Sequence, residues 1–118
     1  SDNGKREDAA GAFEKAVDFL DEATRSNPAS APAHHYLGAA LYKTDSYEQS
    51  ELSLRRALEL DSKLNDVQLI LINVYTRQNR MGEALDQLKA YLEKNPKSPQ
   101  RDALARMKEQ IEKALEAQ

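Results

Sequence analysis

Val67 to Tyr75 reads VQLILINVY, and seven of these nine residues are apolar in a chain that is otherwise polar. A surface helix is apolar along one stripe, whereas a segment that is apolar around most of its circumference has packing neighbours on several sides. The stretch therefore predicts a central helix, from a cap at Asn65 or Asp66 through Arg77, with a break over residues 78–80 before Gly82.

The flanking segments also read as helices. Downstream, a helix from Met81 or Gly82 to Lys94 places Ala84, Leu85, Leu88, Tyr91 and Leu92 on one side. It ends at Asn95-Pro96, because the residue before a proline is driven out of the α region. Ser98-Pro99 restarts a last helix to about Ala117, with Leu104, Met107, Ile111 and Leu115 on one stripe. Its outer face offers the pairs Asp102–Arg106, Lys108–Glu112 and Glu109–Lys113.

Upstream, Tyr47 to Leu60 is expected to bury Tyr47, Leu54, Ala57 and Leu58 and to expose a ladder of Glu51, Arg55 and Glu59. Thr44-Asp45-Ser46, all capping-type residues, joins it to a helix from Ala31 to Lys43 that turns Leu37, Gly38, Ala40 and Leu41 inward. The first predicted helix is Lys5 to Arg25, with Asp2 or Asn3 as its cap and Phe13, Ala16, Val17, Leu20 and Ala23 on one face. It stops at Asn27-Pro28, after which Ser30 and Pro32 open the next helix.

Composition points the same way. The 118 residues include only 4 Gly and 4 Pro and are rich in Ala, Leu, Glu, Lys, Gln and Arg, so the class is all-α. With 17 basic against 20 acidic side chains the net charge is -3, which gives no positive field to gather phosphate backbone. No cysteine is present, so disulfides and thiolate metal sites are excluded while cytosolic, periplasmic and secreted locations all stay open. No apolar run reaches the roughly 18 residues of a membrane span. Ser1-Asp2-Asn3-Gly4 reads as a cloning remnant or a clipped domain start, and the chain as a segment of a longer protein.

Asn27-Pro28 and Asn95-Pro96 lie 68 residues apart, and half that interval falls at Ser62, beside the end of the third predicted helix. The period is therefore 34. Steps of 34 align Phe13, Tyr47 and Met81; Ala16, Ser50 and Ala84; Leu20, Leu54 and Leu88; Ala23, Ala57 and Tyr91. Small residues let paired helices approach and large ones fill the space between, so each unit buries its face only against a neighbour.

A 34-residue helix-turn-helix period resembles the tetratricopeptide repeat, with its W-x2-L-G-x2-Y, A-x3-F and P pattern. Leu37-Gly38 stands at the family's Leu-Gly pair, Leu41 replaces its Tyr, His34 replaces its Trp, and Ala57-Leu58-Glu59-Leu60-Asp61 looks like its repeat ending. Leu71 and Tyr75 fit the next repeat, but Ile72 stands where Gly is usual and Gln68 where Trp is usual, which should spread that helix pair slightly. The resemblance implies antiparallel helix-turn-helix repeats stacked in a right-handed superhelix, an α-solenoid of about six helices with a C-terminal capping helix. It divides a single domain over 1–118 into the second helix of a partial first repeat (11–30), two full repeats (31–64 and 65–98) and the cap (99–118). The last stripe starts at Leu104, 33 rather than 34 residues beyond Leu71, so the cap is out of register.

No residue set points to catalysis. His34 and His35 are adjacent, so their side chains diverge by about 100 degrees and cannot chelate together. No metal site and no cofactor are expected. His34 is expected to pack in the family's Trp place and His35 to face the neighbouring groove. No serine or threonine has a base and an orienter at usable spacing, there is no phosphate-cradling glycine loop, and Arg55-Arg56 and Arg77 with Arg80 are too small a cluster for nucleic acid.

Family resemblance implies instead that the first helix of each repeat builds a concave groove that holds a peptide or partner helix. His35, Ala39, Tyr42 and Lys43 would stand there on one helix, and Leu69, Asn73, Thr76 and Arg77 on the other. Asn73 can donate to and accept from a peptide backbone, Lys43 and Arg77 can meet a carboxylate, and Leu69, Tyr42 and Ala39 offer apolar contact. Some family members clamp a chain-terminal carboxylate with Lys and Asn; Ala39 and Leu69 stand where such groups are wanted, so that clamp is not expected. The reading is a non-enzymatic protein-binding module with a protein or peptide partner, no nucleic acid and no membrane insertion. The alternative is a weak homodimer formed through Leu104, Met107, Ile111 and Leu115.

Overall fold

The computed structural model describes the backbone of residues 2–118 and the side chains from residue 8 onward. Among the described residues there are six helices and no strand: α1 (Asp2–Ser26), α2 (Ala31–Lys43), α3 (Tyr47–Leu60), α4 (Asn65–Arg77), α5 (Met81–Lys94) and α6 (Arg101–Glu116). The all-α expectation holds. α1 starts at Asp2 rather than Lys5, and the side chains of Asp2 and Asn3, read as its caps, lie outside the described residues. α6 starts at Arg101 rather than at Ser98-Pro99, because the Ser98 hydroxyl accepts from the Gln100 amide at 3.2 Å and donates to the Gln100 side chain at 2.9 Å, which holds 98–100 in a turn.

The 34-residue period is written in the backbone hydrogen bonds. The amides of Asn27, Asp61 and Asn95 donate to the carbonyls of Ala23, Ala57 and Tyr91 at 3.0, 2.8 and 2.9 Å. The amides of Ser30, Leu64 and Ser98 then donate back to Asn27, Asp61 and Asn95 at 3.1, 3.4 and 3.2 Å. At Ser30 the hydroxyl also caps α2 by accepting from the Ala33 amide at 3.2 Å.

The turns inside the hairpins match as well. Asp45 and Asn79 take φ values of 60° and 58°, and the amides that follow, of Ser46 and Arg80, donate to Leu41 and Tyr75 carbonyls at 2.9 and 2.8 Å. With Asp45 and Asn79 donating to Tyr42 and Thr76, both at 3.1 Å, each is a Schellman closure of the preceding helix. Asn and Asp tolerate the left-handed region better than other non-glycine residues. Replacing Asn79 by valine is therefore expected to cost about 1–2 kcal/mol, whereas Asn79→Gly leaves stability nearly unchanged; thermal denaturation of both variants checks the contrast.

The chain divides into two compact units, Ser1–Ile70 and Leu71–Gln118, and the division falls within α4. In the first unit α1 packs on α2 and α2 on α3. Gly38 makes the second of these approaches close: a Cβ there would lie 2.5 Å from Leu54 Cδ2, and the Ser50 hydroxyl donates to the Gly38 carbonyl at 2.6 Å. Leu37, Gly38, Ala40 and Leu41 are buried as expected, and Leu54 and Ala57 are fully enclosed. In the second unit α5 packs on α6. Leu71, Ile72, Val74, Tyr75, Ala84 and Leu88 form its centre.

Val67 to Tyr75 is buried except at Leu69 and Ile70, which are half-buried, and at Asn73, which is exposed. Three expectations need correction. The α1 stripe is only partly covered: Ala16, Val17, Leu20 and Ala23 are half-buried and Phe13 is exposed. On α3, Arg55 is taken by Glu51 at 2.9 Å, so Glu59 reaches Arg56 instead, at 3.1 Å. On α6, Lys108–Glu112 and Glu109–Lys113 form, but Asp102 and Arg106 make no ion pair among the described residues. An exposed pair of this kind gains at most about 1 kcal/mol against the entropy of two long side chains.

Candidate functional site

In the first unit, α2 carries four of the eight expected groove residues. The His35 ring stacks on Tyr36, with centroids 4.9 Å apart and planes 13° from parallel. Tyr42 meets Tyr47 of α3 in a tilted contact at 5.8 Å, which ties the end of α2 to the start of α3. Lys43 is exposed, with its Nζ 6.0 Å from the Tyr42 ring centre, at the outer range of a cation–π contact. Ala39 is half-buried, as is Leu69 on α4.

Asn73, Thr76 and Arg77 belong to the second unit. Asn73 and Arg77 are exposed, so their side chains reach solvent from a helix whose neighbouring residues are buried. Thr76 is committed locally: its hydroxyl donates to the Asn73 carbonyl at 2.8 Å, one turn back. That bond leaves Thr76 only acceptor capacity.

His34 does not fill the place of a large packed aromatic. It is half-buried, and its Nε2 donates to the Pro28 carbonyl at 2.8 Å, so the imidazole staples the Asn27-Pro28 turn onto α2. The carbonyl can only accept, which places the proton on Nε2. No group of three or more His, Cys, Asp or Glu among the described residues could hold a metal ion.

A feature the sequence reading missed lies wholly within the first unit. Between α1 and α2 is an open cleft of about 450 Å³, lined by Phe13, Ala16, Phe19 and Leu20 from α1 and by Tyr36, Ala39 and Ala40 from α2, with Lys43 as its one charged group. Phe19 and Tyr36 are 73% and 57% exposed. Phe19 escaped notice because it is off the stripe that runs through Phe13, Ala16 and Leu20, and Tyr36 because it flanks the histidine pair; the signal was two large aromatics outside any expected core face. In the second unit, a cleft of about 580 Å³ between α5 and α6 is lined chiefly by Lys89, Glu93, Arg101, Lys108, Glu109 and Glu112. Interspersed charges of both signs make it a solvated groove with no single preference.

The α6 stripe is already in use. Ile111 is buried and Leu104, Met107 and Leu115 are half-buried in a helix that packs on α5. No described helix is long and apolar enough to cross a membrane.

Comparison with known proteins agrees with the hairpin period. The sequence profile of the tetratricopeptide repeat matches residues 1–65 and 47–99. Among solved structures, the type III secretion translocator chaperone SycD of Yersinia enterocolitica superposes with a TM-score of 0.81 at 17% identity, covering 92% of this chain and 77% of that one. The TPR2B domain of yeast Sti1, in complex with pHsp70, gives 0.77 at 18% identity over 94% and 91% of the two chains. The second TPR domain of human RPAP3, in complex with the HSP70 peptide SGPTIEEVD, gives 0.75 at 20% identity over 94% and 90%. No curated protein matches the sequence.

Proposed function

We propose, from the premise that this chain belongs to the tetratricopeptide repeat family, that it is a non-enzymatic module that holds a peptide or protein segment through the stripes on α2 and α4. The observation that carries this reading is Asn73, an exposed amide between the buried Ile72 and Val74 of the most apolar helix in the chain. An amide that can donate and accept suits the backbone of an extended peptide, and Leu69, one turn back on the same face, adds apolar contact. Similar domains of Sti1 and RPAP3 are seen with Hsp70 or its peptide, which supports peptide holding as the activity.

Chemistry at Ala39 and Leu69 argues for a partner other than an acidic chain terminus, since neither side chain can bond a carboxylate. Lys43 and Arg77 then serve internal acidic side chains of the partner. Self-association through α6 is the weaker reading, because the apolar stripe it needs is spent on α5. We read α6 as the cap of the stack, its exposed Lys113 and Glu109 facing water.

Selection of peptides from a displayed library on the native chain tests the proposal. Selected peptides are expected to lose at least about tenfold in affinity with Leu69→Glu, Asn73→Ala, Arg77→Ala, and to lose measurably with Asn73→Ala alone, which touches no buried group. SGPTIEEVD is expected to bind no better than its scrambled form. Unchanged affinities in both variants would remove the stripe on α4 from the binding surface.

A further inference from the structure

The strongest unexplained feature is the apolar cleft on α1 and α2, and the repeat register says what belongs in it. On α3 the face made by Tyr47, Ser50 and Leu54 is covered by α2, whose backbone comes so close at Gly38 that Ser50 and Leu54 are wholly enclosed. One period later, Ala84 and Leu88 on α5 are enclosed to the same degree. One period earlier the same face is Phe13, Ala16 and Leu20 on α1, and there it stays open: Phe13 is 36% exposed, and all three line the cleft.

The described chain does not bring a helix back over this face. The hairpin turns at Asp45 and Asn79 use positive φ, and Gly11, one period before Asp45, sits inside the unbroken α1 with no such turn. We infer that the cleft between α1 and α2 is a docking site for one amphipathic helix of a partner polypeptide, laid antiparallel to α1 as α2 is laid on α3.

The chemistry of that helix follows from its counterparts. Leu37 and Leu41 of α2, and Leu71 and Tyr75 of α4, are the buried residues at the equivalent places, so the partner presents two large apolar side chains four residues apart. The cleft volume of about 450 Å³ suits the roughly three to four apolar side chains that a helix face presents per two turns. Lys43 stands at the C-terminal end of α2, lines the cleft and makes no ion pair among the described residues. An antiparallel occupant of α1 runs parallel to α2, so its C-terminal end meets Lys43 and should carry a carboxylate. A second folded copy is disfavoured by size: a stable dimer buries about 800 Å² per partner, whereas this cleft is confined to two helices.

The test uses the full chain and a fluorescein-labelled helical peptide with the α2 sequence APAHHYLGAALYK followed by two glutamates, stapled on its outward face. Saturable binding is expected by fluorescence polarisation, weakened at least about tenfold by Phe19→Glu, which alters a mostly exposed residue and leaves the helical signal intact. Lys43→Glu should weaken the glutamate-bearing peptide several-fold and leave an alanine-tailed version unchanged. Asn73→Ala with Arg77→Ala should not alter binding, which separates this site from the α4 stripe. No saturable binding, or binding indifferent to Phe19→Glu, overturns the inference. A dimer in sedimentation that Phe19→Glu dissolves would assign the cleft to a second copy and overturn it equally.

Discussion

Leu54→Ala is expected to destabilise the first unit by about 2–5 kcal/mol, toward the upper end, measured by urea denaturation followed by far-UV circular dichroism. The reason is the wall opposite. Leu54 is fully enclosed, and the nearest surface across the interface is the α2 backbone at Gly38, which has no side chain to swing into the void. A cavity whose lining cannot relax loses both the transfer energy of the removed atoms and the dispersion contacts around them. A loss below 1 kcal/mol would mean that α2 and α3 slide together freely, and would undo the account of close packing given above.

The second large effect has a sign that runs against local propensity. Gly38→Ala should gain about 1 kcal/mol from helix propensity, since Gly38 is in the interior of α2. It is nonetheless expected to destabilise, because the new Cβ would fall 2.5 Å from Cδ2 and 2.7 Å from Cγ of a leucine that has nowhere to move. Overpacking of this kind costs about 1–3 kcal/mol, and the shift it forces also strains the 2.6 Å bond from the Ser50 hydroxyl to the Gly38 carbonyl. The two substitutions are coupled. In the Leu54→Ala background the clash is gone, so Gly38→Ala should become stabilising, and a double-mutant cycle should give an interaction energy of about 1–3 kcal/mol. Additive behaviour would show that Gly38 is small for some reason other than Leu54.

Much of the architecture was legible because it rests on repetition. A step of 34 residues aligned large with large and small with small, and the same step recurs in the hydrogen bonds of three inter-helix turns and in the positive φ of Asp45 and Asn79. Helix bounds from α2 to α5 follow from caps, prolines and apolar spacing, all of which act within a few residues. The ends of the chain were read less well. α1 starts earlier than its apolar pattern does, since charged and small residues continue a helix without adding to a stripe. α6 starts later than its proline signal, because Ser98 bonds Gln100 rather than capping a helix at that point.

The candidate sites divide along the same line. Spacing along α2 and α4 was enough to name two stripes, because side chains three and four residues apart share a helix face. It could not say that Thr76 spends its hydroxyl on Asn73, that His34 holds the Pro28 carbonyl, or that Phe19 and Tyr36 come together across two helices. By itself, the sequence determined that Val67 to Tyr75 would be a helix covered on most sides, in a chain of 34-residue helical hairpins, since periodicity and local backbone preference suffice for that. Only the tertiary structure decided which faces stay uncovered. Exposure at Phe13, Phe19 and Tyr36 depends on whether another helix lies within van der Waals reach, a property that no residue carries in its own side chain.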